Sequence, residues 1–250
     1  MKTTLALVLL TLSFWAQAAE RLNWTSPEQY NLRADLYPAG PTAVVVIHGT
    51  GGVDARGTMY AEELNRAGIT ALVVDFKTGI YQDSRDRGRH RFIPMLRSAI
   101  EQLNQKGYTR VGVMGTSLGG VITIHAKLKS SGVKASSYVA LYPNCGLFLE
   151  GGFWPQTSQQ AVEPGPIMIM WGDQDDFPDR IQCPRLRAET PNWSAEWIGY
   201  PNAGHGFDRR AARTRVPDHT SPTGSITLEY NAEATRDAVA RIVAFFKTTL

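Results

Sequence analysis

Three features of this 250-residue sequence predict an α/β fold, a mostly parallel central sheet with helices on both faces. Short segments that are nearly all apolar alternate with longer segments of helical period. Glycine-bearing turns follow directly after the apolar segments. No stretch repeats at a fixed period, which removes solenoids and collagen-like chains. A composition of 43% hydrophobic and 20% charged residues is too apolar for a disordered chain and too evenly mixed for a fibrous one.

The elements follow in chain order. NLRADLY at 31–37 alternates apolar and polar, which predicts a partly exposed strand. TAVVVIHG at 42–49 is an unbroken β-branched run, as suits a strand buried on both faces. Met59 to Ala67 predicts a helix, and Thr70 to Asp75 the next buried strand. Apolar residues at 93, 96, 100 and 103 give Phe92 to Lys106 a helical period, and Arg110 to Met114 follows as a strand. Leu118 to Lys129 predicts a helix, and Tyr138 to Tyr142, Ile167 to Trp171 and Ala195 to Tyr200 predict strands. Residues 211–225, rich in Arg, Pro, Thr and Ser, predict a long loop. Asn231 can cap a closing helix running to about Phe246, with Ala234, Ala238, Ile242 and Phe245 on its inner face.

The first residues carry one lysine, an apolar run from Leu5 to Trp15, and Ala16-Gln17-Ala18. This is the layout of a secretory signal peptide cleaved after Ala18, and the run is short against the ~20 apolar residues that span a bilayer. The expected product is one domain over residues 19–250, periplasmic or secreted, with no stable membrane insertion. In an oxidising compartment Cys145 and Cys183 are expected to pair, closing a loop whose chain entropy is worth ~4 kcal/mol. A formal charge of +3 gives no reason to expect a nucleic-acid partner. Oligomeric state is not legible.

Ligands of open parallel sheets sit beyond the carboxyl ends of the strands, and four segments there carry chemistry. Gly115-Thr116-Ser117-Leu118-Gly119 joins a strand to a helix, a turn sharp enough to expose the Ser117 hydroxyl. No Gly-Lys-Ser/Thr follows, which argues against a nucleotide loop. His48-Gly49-Thr50-Gly51-Gly52 follows the first buried strand; the backbone amides of Thr50 and Leu118 are the candidate donors of an oxyanion hole. His48 itself reads as structural. The loop after Trp171 offers Asp173, Asp175, Asp176 and Asp179. Asp175 is the candidate for orienting an imidazole, Asp176 comes second, and Asp179 reads as the start of a helix. His205 stands between two glycines after the last strand, where it can reach a serine held by another loop. His125 and His219 read as packed or solvated, and His90 lies in an arginine-rich segment. The order Ser117, Asp175, His205 differs from the chymotrypsin and subtilisin orders.

VVVIHGTGGVD, GVMGTSLGG, WGDQDDFPD, YPNAGHGFD and LEYNAEATRDA, in this order from about Thr42 to the closing helix, resemble the dienelactone hydrolase family of α/β hydrolases, particularly its exported members. The resemblance implies a nucleophile, an acid and a base at Ser117, Asp175 and His205. Dienelactone hydrolases proper use cysteine as nucleophile, so the serine here implies ester-type hydrolysis more firmly than a lactone substrate. No metal or organic cofactor is implied. Arginines near the site bind a substrate carboxylate in the family. Arg209 and the cluster at 85–91, beginning with Arg85, are the candidates here, and a solvated basic loop is the other reading of that cluster. The expected substrate is a small-molecule ester or lactone. A peptidase or acyltransferase of the same fold, and a catalytically silent binding protein, are the alternatives.

Overall fold

The computed structural model describes residues 18–77, 91–149 and 160–250. Its centre is a sheet of eight strands: β1 (Glu20–Thr25), β2 (Asn31–Tyr37), β3 (Ala43–Ile47), β4 (Thr70–Asp75), β5 (Val111–Thr116), β6 (Ser137–Leu141), β7 (Ile167–Gly172) and β8 (Ala195–Tyr200). Their order is β1-β2-β4-β3-β5-β6-β7-β8. β2 is antiparallel to both of its neighbours, and the six strands from β4 to β8 are parallel. Among the described residues, five α-helices lie against the sheet: α1 (Ala55–Arg66), α2 (Phe92–Gln105), α3 (Leu118–Lys127), α4 (Asp179–Glu189) and α5 (Ala232–Thr249).

Every residue of β3 is buried, because its side chains feed two cores in alternation. Val45 and Ile47 face a core shared with Leu96 and Ile100 of α2 and Val121 of α3. Val44 and Val46 face the opposite core, which holds Tyr60 and Leu64 of α1 and Ala238 and Ile242 of α5. From β3 the chain crosses to β4 on one side, and β5 then pairs with β3 on the other. The strand order therefore reverses between β3 and β5, and the turns after these two strands face one crevice.

The elements differ from the sequence expectation most plainly in three places, while Asp179 opens a helix as expected. α1 begins at Ala55 rather than Met59, because the Asp54 side chain accepts the Arg56 amide at 3.0 Å and caps the helix early. β1 was not expected; it is an edge strand, largely exposed, whose pairing to β2 supplies what its composition does not. The helix that Asp179 opens, α4, continues through Pro184. Residues 211–225 are not simply a loop, since β9 (Thr214–Pro217) and β10 (Ser225–Leu228) form an antiparallel hairpin there. At the closing helix the expectation holds: Asn231 accepts the Ala234 amide at 3.0 Å, and Ala234, Ala238, Ile242 and Phe245 are buried. Among the described residues no helix is long and apolar enough to cross a membrane. The leader expected over residues 1–18 lies, save for Ala18, outside the described residues.

Candidate active site

Ser117 stands between β5 and α3 with φ 54° and ψ −118°, a strained conformation for a residue bearing a Cβ. Two glycines make the turn possible. A Cβ on Gly115 would come within 2.2 Å of the Gly119 backbone, and one on Gly119 within 2.4 Å of the Ile47 carbonyl. The G-x-S-x-G pattern is thus required by close backbone approach on both sides of the serine. The Ser117 amide donates to the Leu141 carbonyl at 2.9 Å, which ties the turn to β6.

Three loops meet at this serine. The Ser117 hydroxyl donates to His205 Nε2 at 2.9 Å, and His205 Nδ1–H donates to Asp175 Oδ2 at 2.7 Å. The other Asp175 oxygen accepts the Phe177 amide at 2.9 Å, so both carboxylate oxygens are engaged. The imidazole and the carboxylate are almost wholly buried, with side chains 2% and 0% exposed. Edge-on rings of Tyr142 and Phe177 lie 4.9 and 5.2 Å from the imidazole. Burial alone would lower the His205 pKa, but the negative charge and hydrogen bond of Asp175, joined by the charge of Asp179, raise it above the ordinary imidazole value.

The remaining aspartates of the loop have other work. Asp173 accepts the Trp171 indole N–H at 2.8 Å, and Asp176 accepts the Thr227 amide at 2.5 Å, anchoring the β9–β10 hairpin. The hairpin lies beside the site, since Leu228 forms a β-bridge with His205. Asp179 is fully buried and accepts the amides of Cys145 at 2.7 Å and Asn144 at 3.1 Å. Burial and the neighbouring charge of Asp175 push its pKa up to about 7, against those two amide bonds.

His48 has a structural part with a bearing on the site. Its Nε2 accepts the Phe76 amide at 3.1 Å, which leaves Nδ1–H to donate to the Gly49 carbonyl at 2.6 Å. Burial lowers its pKa and keeps it neutral for that pairing. The Gly49 carbonyl and the Thr50 N–H belong to one trans peptide unit and point in opposite directions, so His48 fixes the direction of the Thr50 N–H. Gly49 itself lies against the serine: a Cβ there would be 3.2 Å from Ser117 Cβ. The Thr50 and Leu118 amides donate to no protein group among the described residues.

Cys145 and Cys183 form a disulfide, with Cα atoms 5.1 Å apart, that joins the turn at Cys145–Phe148 to α4. With Asp179 they are the one group of three metal-type donors among the described residues, and the two sulfurs are bonded to each other. Arg209 is half-buried, and its guanidinium donates to the Ala212 carbonyl at 3.3 Å. Arg85, Arg87 and Arg89 of the 85–91 cluster, with His90, lie outside the described residues; Arg91 is buried, its guanidinium 5.5 Å from the centre of the Tyr30 ring. Sequence reasoning missed Arg56, Tyr60, Tyr142 and Asp208, which form a buried polar network beside His205.

A parallel sheet with its strand order reversed at β3, a serine on a strained strand-to-helix turn, and an acid and a histidine on later loops define the α/β-hydrolase fold. The profile of the dienelactone hydrolase family matches residues 35–250, so the chain belongs to that family and is an ester hydrolase. No curated protein sequence matches it. Among solved structures it is similar to a dienelactone hydrolase-like promiscuous phosphotriesterase from metagenomic libraries, with a TM-score of 0.70 and 16% identity over 94% of this chain and 99% of that one. It is also similar to a dienelactone hydrolase from Anabaena variabilis, with a TM-score of 0.65 and 16% identity over 93% and 98% of the two chains. An esterase from Thermogutta terrifontis, phosphorylated by paraoxon, gives a TM-score of 0.66 and 13% identity over 95% and 96%.

Proposed function

We propose that this chain is an exported serine hydrolase that cleaves small carboxylic esters or lactones through an acyl-enzyme intermediate. The observation that carries the reading is the continuous hydrogen-bonded series from the Ser117 hydroxyl through His205 to Asp175. Ser117 attacks the acyl carbon while His205 Nε2 takes its proton, and Asp175 holds Nδ1 protonated and steadies the imidazolium. The Thr50 and Leu118 amides receive the developing oxyanion, each donor being worth about 3–4 kcal/mol in comparable sites. Collapse of that intermediate expels the alcohol, which leaves with the proton from His205. Water, activated by the same imidazole, then releases the acid and regenerates Ser117.

Export is supported by the leader at residues 1–18 and by the Cys145–Cys183 disulfide, a bond that persists in oxidising compartments. Arg209, four residues beyond His205, supports a preference for substrates that carry a carboxylate. The test is a panel of neutral and anionic p-nitrophenyl esters, assayed with the wild type, Ser117→Ala and Arg209→Ala. Hydrolysis by the wild type should fall at least ~1,000-fold in Ser117→Ala. Arg209→Ala should lose about tenfold on the anionic esters alone, the cost of one charge-assisted contact. Activity that survives in Ser117→Ala contradicts the mechanism, and equal losses on both ester types remove the role of Arg209.

A further inference from the structure

Beside the imidazole lies a set of buried polar groups for which the hydrolytic steps have no use. Asp208 is fully buried and accepts the hydroxyls of Tyr60 and Tyr142, each at 2.6 Å. Arg56 Nη1 donates to the Tyr142 hydroxyl oxygen at 3.1 Å and stands 3.7 Å from Asp208. Its Nε and Nη2 are turned to the Asp54 carboxylate at 3.0 and 2.7 Å. Apolar side chains of equal volume often stabilise a fold as well as a buried ion pair does, so stability alone does not account for this set.

Four of these five groups come from the segments that build the site, and Tyr60 joins them from the body of α1. Asp54 and Arg56 begin α1 directly after the 48–52 turn, Tyr142 follows β6, and Asp208 lies three residues beyond His205. Tyr142 is the point where they converge. Its φ of 37° lies in the left-handed region that aromatic residues rarely adopt. The residue before it, Leu141, accepts the Ser117 amide, and the Tyr142 amide donates to the Met170 carbonyl at 2.6 Å. Its ring stands edge-on to His205 at 4.9 Å and to Phe207 at 5.4 Å.

We infer that Tyr142 is a positioning residue for the hydrolysis: Arg56 and Asp208 fix its hydroxyl so that its ring holds the His205 imidazole in line between Asp175 and Ser117. This rests on the reading of Ser117 as nucleophile and His205 as base. Tyr142 exchanges no proton, since burial and the Asp208 charge push its hydroxyl well above the ordinary phenol range. Its contribution is geometric, and a misplacement of roughly 1 Å at a reacting group can cost ~100-fold.

The experiment measures kcat and KM on p-nitrophenyl acetate for the full-length wild type, Tyr142→Phe, Arg56→Lys and the double variant, with thermal unfolding of each as a check of folding. Tyr142→Phe keeps the ring and loses the hydroxyl; kcat is expected to fall about tenfold with KM within about twofold of the wild type. Arg56→Lys keeps the charge and loses the planar fork, and it should lower kcat in the same way. The double variant should be no slower than Tyr142→Phe, because both changes act through one hydroxyl. A Tyr142→Phe enzyme that folds and turns over within twofold of the wild type overturns the inference, as does a loss confined to KM or a double variant whose losses multiply. If Tyr142→Phe fails to fold, Arg56→Lys decides by the same limits. A wild type that does not hydrolyse the ester overturns the reading of Ser117 and His205, a result distinct from an active wild type matched by Tyr142→Phe.

Discussion

The two sides of the His205 imidazole are built on opposite electrostatic plans. On one side Asp175 and Asp179 crowd two carboxylates together, and among the described residues neither meets an arginine or lysine; backbone amides and the nearby disulfide hold them. On the other side Asp208 is matched by Arg56 and two tyrosine hydroxyls. Burial and the charge of Asp175 push the Asp179 pKa up to about 7, so the first side responds to protons in the neutral range. On the second, burial and the Asp208 charge push both phenols well above their ordinary range, so neither gives up its proton there. Proton response and alignment are thus divided between two walls of one site.

Asp175→Asn tests the first wall most severely. The amide cannot hold Nδ1 protonated, so the wrong tautomer faces Ser117, and kcat should fall ~10,000-fold with the fold intact by circular dichroism. Next in size is the disulfide. Its reduction, or a Cys145→Ala/Cys183→Ala double variant, should cost about 2–5 kcal/mol of stability in urea unfolding. Because Cys145 also gives its amide to Asp179, hydrolysis should weaken at denaturant concentrations below the unfolding transition. A change in neither quantity would make the bond irrelevant to this wall.

The smallest effect concerns pH. The proposed mechanism needs neutral His205, whose pKa is raised, so kcat/KM should fall as pH drops through a limb lying above the ordinary imidazole value of 6.5. Asp179 and His205 each shift the other's pKa. Asp179→Asn removes a negative charge that favours the imidazolium, which moves the acid limb to lower pH. That charge is present only above the Asp179 pKa of about 7, so activity relative to the plateau should rise near pH 7, by up to about twofold, and change little at about pH 5.5. A limb unmoved by that substitution would separate Asp179 from the chemistry.

Much of the site was legible because parallel sheets put chemistry just after their strands. Ser117, Asp175 and His205 each follow a strand of strongly apolar or aromatic composition, and glycine neighbours mark two of the turns. The network around Tyr142 was not legible, since its members look locally ordinary: an arginine in a first helical turn, a tyrosine after a strand, an aspartate after a phenylalanine. Tyr60 and Asp208 are 148 residues apart, and nothing in either segment announces the other. The hairpin at 214–228 escaped for a different reason: its strands have four residues each, one ends in Pro217, and tertiary anchoring through Asp176 supplies what propensity lacks. Asp179 was assigned to a helix start, correctly, but position alone did not reveal that its carboxylate turns inward to the amides of residues 144 and 145.

The most direct test of the central claim is mass spectrometry of the intact chain after exposure to a fluorophosphonate, followed by peptide mapping. The account predicts a single covalent adduct on the Ser117 hydroxyl, formed rapidly in the wild type and at least ~1,000-fold more slowly in His205→Ala. An adduct on another residue, or labelling of Ser117 at the same rate without the imidazole, would contradict it.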